Sequence, residues 1–178
     1  MGVVWRVLPA GIADALPLSL WPEAAVERGA AEAWLTAVSI WELGPYLRAI
    51  GAVYDAPRPT MPSPRRRFPD LSRRELQALW EGSPPPGVPV AKVREFYDAE
   101  IAVAQSRPSA PGVPAFKLFE NGPPWHVTAS ECDDLLRVTG EHPGPELDPD
   151  PEGDGWAAWH ELKGLLEQAR AAEGMITS

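Results

Sequence analysis

Residues 113–140, VPAFKLFENGPPWHVTASECDDLLRVTG, constrain the fold more than any other stretch of this chain. Asn121-Gly122 sits between two β-prone runs, and Asn-Gly is a strong signal for a two-residue hairpin loop because both positions need positive φ. Thr128 followed by Glu131 makes a capping box, which starts a helix by satisfying two orphan backbone N–H groups. Gly140 supplies a stop. The segment therefore predicts strand, tight turn, strand and capped helix.

The same stretch holds the only cysteine, Cys132, and one of three histidines, His126. A Cys–His nucleophile pair needs a thiolate within hydrogen-bond reach of an imidazole. Folding explains Cys132 instead. It falls at the fourth helical position, where it meets Val127 as a hydrophobic staple, and it begins a core stripe with Leu135, Leu136 and Thr139. Strand alternation puts Trp125 and Val127 on one face and His126 on the other. His126 is then expected on the outer face of the sheet, near Lys117 and Phe119 of the hairpin partner strand. Antiparallel sheets often keep one face wet, so Lys117, Phe119, Trp125 and His126 are candidate ligand or partner contacts.

Elsewhere the pattern is mainly helical. Val3–Leu8 is a short β-prone run ended by Pro9 and reads as an edge strand. A helical region extends from Pro22 to about Tyr54, broken at Gly29 and at Gly44-Pro45. Trp34, Val38 and Trp41 share one face at helical spacing, continued by Leu43, Leu47 and Ile50. Ser72 and Glu75 form a second capping box, with Leu76, Leu79 and Trp80 on its apolar side and Gly82 as the stop. From Pro89 to about Gln105, Val90, Val93, Tyr97, Ile101 and Ala104 make an amphipathic stripe, while Asp98 and Glu100 read as part of the polar face. A last helix over about 155–173 carries Trp156, Trp159, Leu162, Leu166 and Ala169, with Asp154 as N-cap. Met175 to Thr177 reads as a terminal strand. The fold class that follows is α+β: one mainly helical domain over 1–178 with a small antiparallel sheet of three or four strands. A Pro/Arg-rich connector spans 56–69, and an acidic, Pro-rich loop spans 141–154.

Several function classes are disfavoured. Pro (22) and Gly (15) together make about a fifth of 178 residues, below the roughly 25–30% typical of low-complexity disorder. A net charge of −9 repels phosphate backbones, so duplex nucleic acid is not an expected partner. One cysteine permits no internal disulfide. Neither a membrane-length apolar run nor a signal-peptide pattern occurs, which points to the cytoplasm. Arg outnumbers Lys and Ala and Pro are abundant, a composition that suggests a bacterial chain from a GC-rich genome. No phosphate-loop, dinucleotide or nucleophile-elbow motif is present, and the histidines lack metal-ligand spacing, so no cofactor or metal is expected.

The remaining candidates are few. His126 and His160 are the side chains that would serve as acid or base. Arg65, Arg66 and Arg67 form a basic cluster suited to a phosphate or acidic peptide, or to pairing with the acidic loop. Trp5, Trp21 and Trp125 lie near element ends, where core packing is expected and a pocket or interface is the alternative. The reading that fits these features is a non-catalytic binding or accessory protein, immunity-like or regulatory, using an acidic and aromatic surface. A small cofactor-independent enzyme with a histidine acid/base is the alternative, and a small-molecule sensor is a third.

Overall fold

The computed structural model describes residues 2–109, 111–142 and 154–178, with side chains of the last segment from residue 157 onward. The chain is α+β, with nine helices and a four-stranded antiparallel sheet among these residues. Strand β1 (Val3–Val7) lies between β2 (Glu32–Leu35) and β6 (Met175–Thr177), and β5 (Trp125–Val127) completes the order β2-β1-β6-β5. The position of β1 corrects the edge assignment drawn from Pro9. That proline falls beyond the last ladder residue, so its missing N–H costs the strand nothing. Val7 N–H donates to Ala31 O on one side, and Val4 N–H donates to Ser178 O on the other, both at 2.9 Å.

Side chains on the two sheet faces enter different cores. On one face Val3, Trp5, Val7, Leu35, Val127 and Met175 pack under α3 (Ala37–Ala49), α8 (Ala129–Gly140) and α9 (Asp154–Ala169). On the other, Ile176 is covered by Ile12 of the short helix α1 (Ile12–Ala15), Leu18 of the 3-10 turn Leu18–Leu20, Trp21 and Ala25 of α2 (Trp21–Glu27), and Ala104 of α6 (Val90–Ala104). A third cluster, Phe68, Leu79, Val93 and Phe96, ties α5 (Arg73–Trp80) to α6. Phe68 anchors the connector there, edge-on to Phe96 at 5.6 Å. The connector also contains a helical turn, α4 (Pro64–Arg67).

Two regions depart from the sequence-based expectation. The first is the helical run through Trp34, where Gly29 (φ 68) stops α2, β2 follows, and Thr36 caps α3 by accepting from Ser39 N–H at 3.1 Å. The apparent stripe Trp34, Val38, Trp41 therefore straddles a strand, a cap and a helix. All three side chains are exposed, at 66%, 50% and 78%. Nor does Pro45 end α3. It and Trp41 face solvent, so the carbonyl left without an i+4 donor sits on the wet side.

The second departure is the hairpin. Val113–Pro114 forms β4, paired in parallel with β3 (Val53–Tyr54), while Phe116–Phe119 winds into helical turn α7, and β5 pairs with β6. Asn121-Gly122 does not close a hairpin. Pro123 stands where the loop needs an N–H to bond back to residue 120, and it has none. Phe116, Lys117 and Leu118 are all buried in this turn.

Other expectations hold locally. Both capping boxes form, at Ser72/Glu75 and Thr128/Glu131. Helix α6 occupies the span expected of it, although Val90 at its start is exposed. Met175–Thr177 is a strand, and it lies inside the sheet. The acidic loop lies, over residues 143–153, outside the described residues, as do the side chains of Asp154 and Trp156.

Candidate functional site

His126 is on β5 and is buried, not on a wet face. The covering layer explains the difference. Trp21 of α2 meets the imidazole edge-on at 5.3 Å, and the start of α2 closes over that part of the sheet. Nε2 lies 2.7 Å from the Glu173 carbonyl oxygen, which can only accept, so Nε2 carries the proton. Nδ1 then accepts from the Gln105 amide at 3.0 Å. Burial lowers the His126 pKa, which fits the neutral tautomer. With both ring nitrogens occupied, the imidazole has no free lone pair for a substrate proton.

Lys117, expected on a strand beside His126, is buried at the centre of α7. Its ammonium uses all three donors, to Glu131 Oε1 and Oε2 at 2.8 Å each and to the Gln105 carbonyl at 2.9 Å. Desolvation lowers its pKa, and the Glu131 carboxylate opposes that shift. Glu131 is buried as well, and its Oε2 also accepts from Thr128 N–H at 2.8 Å. Thr177 Oγ1 donates to the Lys117 carbonyl at 2.7 Å, and Trp5 Nε1 donates to the Leu118 carbonyl at 2.8 Å. This closed network pins α7 and α8 to the sheet.

Cys132 packs into the first core, on the side of β5 opposite His126. Burial, then the Glu131 and Asp133 carboxylates, push its thiol up to about 12. A thiolate nucleophile is therefore disfavoured at neutral pH. Glu100, expected on a polar face, is buried on α6. It occupies the stripe Val93, Phe96, Glu100, Ala104, all buried, and burial raises its carboxyl to about 7. Helical spacing from its apolar neighbours was the signal that marked this position.

The other candidates are dispersed. His160 is exposed on α9. Arg65, Arg66 and Arg67 are exposed on α4, with Arg67 paired to Glu95. Trp125 is buried like Trp5 and Trp21, with the Arg58 guanidinium 5.2 Å over its ring. Phe119, half-buried at the end of α7, lines a cavity of about 400 Å³ with Gly2, Val3, Ala37 and Ile40. A second cavity, about 270 Å³, lies between Leu16, Leu20, Val93 and Tyr97. Neither is lined by His126 or His160. Among the described residues, no group of three His, Cys, Asp or Glu side chains converges on a metal position.

One exposed feature was missed by sequence reasoning. Trp34, Val38 and Trp41, expected on one apolar helical face, project to solvent from the strand-to-helix unit β2–α3. The alternation of Glu32-Ala33-Trp34-Leu35 ahead of a Thr N-cap was the local signal for it. Trp80, expected on the apolar side of its helix, is also exposed on α5.

No protein-family model, curated protein or solved structure matches the chain.

Proposed function

We propose that the chain is a non-catalytic binding protein, immunity-like or regulatory, that engages another protein chain through an acidic surface carrying the exposed aromatic side chains of β2 and α3. The observation carrying this reading is the joint exposure of Trp34, Val38 and Trp41 on one strand-to-helix unit. Solvent-facing tryptophans on adjoining elements are uncommon on a monomer's surface and are enriched in interface hot spots. The titratable side chains that acid–base chemistry would recruit are committed elsewhere: His126 and Lys117 have their polar atoms occupied within the fold. A net charge of −9 suits a basic surface around the apolar contact. No helix among the described residues is long and apolar enough to cross a membrane. Action in a bacterial cytoplasm is part of the same proposal.

The test compares chemical crosslinking of the wild type and of Trp34→Ser/Trp41→Ser. Adducts lost in the double variant, with an unchanged circular dichroism spectrum, are the expected result. Identical adducts from both proteins would end this reading. A small-molecule sensor is a second reading, favoured by the apolar cavity between Leu16, Leu20, Val93 and Tyr97. Its test is a ligand-dependent rise in melting temperature that Val93→Trp abolishes.

A further inference from the structure

The cavity of about 270 Å³ between α6 and the segment joining α1 to α2 is apolar except at one side chain. Leu16, Pro17, Leu20, Val90 and Val93 line it. Tyr97 adds its ring, because its hydroxyl donates to the Leu79 carbonyl at 2.6 Å. Val90 lines the cavity while staying 80% exposed, so the space opens to solvent on that side. Arg94 is the one charged side chain among the described residues that line it. Two contacts hold its guanidinium. Nη1 donates to the Asp14 carbonyl at 3.1 Å, and Nε lies 2.8 Å from Asp98 Oδ1. Nη2 donates to none of the described residues. Both members of the Arg94–Asp98 pair are about half exposed, where an ion pair contributes little and a further anion can share the fork.

We propose that this cavity binds a small acid with an apolar body, its carboxylate on Arg94 and its body between Leu16, Leu20, Val93 and Tyr97. The assignment rests on the second reading above, in which the cavity holds a small molecule, and adds the ligand class. Apolar walls with one placed polar group suit a hydrocarbon body with one head group. At ~30 Å³ per water-sized group, the volume accommodates about nine non-hydrogen atoms. A wholly neutral apolar ligand of that size would cover the guanidinium without offering Nη2 an acceptor, which is unfavourable. A cationic head would be repelled by Arg94. A carboxylate gives Nη2 a charge-assisted acceptor, and its single charge matches the single cation in the lining. The net charge of −9 does not oppose this, because exposed charges more than ~8–10 Å away are largely screened at physiological salt. Asp98 is the near anion, and it competes with the ligand for the same fork.

Amide chemical-shift titrations of the full, isotope-labelled chain at neutral pH test this, with octanoate, octanol and octylammonium as probes of matched length. Octanoate is expected to shift the amides of residues 16–20 and 90–97 saturably and to bind tightest of the three. Arg94→Gln, at an exposed position, should weaken octanoate about tenfold and leave octanol binding unchanged, which shows that the cavity itself is intact. Asp98→Asn removes the competing anion and should tighten octanoate by about threefold. Saturable shifts at these amides with octanoate no tighter than octanol or octylammonium overturn the acid and leave the small-molecule cavity standing. Octanoate binding that ignores both Arg94→Gln and Asp98→Asn does the same. No saturable shift at these amides from any of the three probes overturns both the acid and the cavity.

Discussion

Lys117 and Glu131 form a buried ion pair in which each carboxylate oxygen lies 2.8 Å from Nζ. One of those oxygens also caps α8 through Thr128 N–H, so a single side chain neutralises the core lysine and starts a helix. Removing one partner strands the other charge in the core, at a typical cost of about 3–5 kcal/mol. Lys117→Met should lose on that order. Glu131→Gln keeps an acceptor for the cap but not the counter-charge, and should also be strongly destabilising. The double variant should lose clearly less than the sum of the singles. Urea denaturation of the four proteins decides it, and additive losses would contradict the pairing.

Glu100 makes stability depend on pH. Its folded carboxyl holds a proton up to about 7, against 4.5 for an ordinary glutamate. The folded state binds the extra proton between those values, so Glu100 lowers stability progressively as pH rises from 4.5 to 7. Above that window the penalty is complete. Glu100→Gln should stabilise by on the order of 2 kcal/mol at pH 8 and by almost nothing near pH 4.5. Equal gains at both ends would show that desolvated charge is not the cause.

Cys132 should be inert in the folded protein. Its thiol is buried and raised to about 12. Iodoacetamide at pH 8 is expected to modify it only after denaturant is added, as read by intact mass. Stoichiometric native labelling would place the thiol outside the core.

Two glycines should respond in opposite directions. Gly174 has φ 106, and a Cβ there would run into the Val127 carbonyl at the turn into β6. Gly174→Ala should cost at least ~2 kcal/mol. Gly164 lies within α9 with nothing near its absent Cβ, so Gly164→Ala should gain about 0.5–1 kcal/mol. Thermal melts of both variants check the contrast.

Features fixed within a few residues were legible in the sequence. Both capping boxes, α6 and the terminal strand are of this kind, since a cap needs only a side chain and an amide three residues away. Features that depend on what covers a surface were not. His126 stands at an alternating strand position, yet whether that face is wet depends on Trp21, more than a hundred residues earlier in the chain. Lys117 in an apolar run signals a buried pair only once Glu131 is known to face it. The Trp34 stripe failed for another reason. Spacings of four and three fit a helix, but Thr36 resets the geometry between the first tryptophan and the second. The candidate site was therefore the least readable part, because an exposed tryptophan and a core tryptophan share one local pattern.

The inner position of β6 bears on how the protein is made. Within the sheet, β1–β2 and β5 are bridged by residues 175–177, which follow every other strand in the sequence. A nascent chain can pair β1 with β2 early, yet it cannot join that unit to β5 until β6 has left the ribosome. The β1–β6 pairing then has to close a loop of more than a hundred residues, which slows assembly and leaves strand edges open meanwhile. Newly synthesised chains should therefore depend on chaperones more than a protein of this size with local topology would. A nascent chain stalled before residue 175 should remain protease-sensitive throughout its β-sheet.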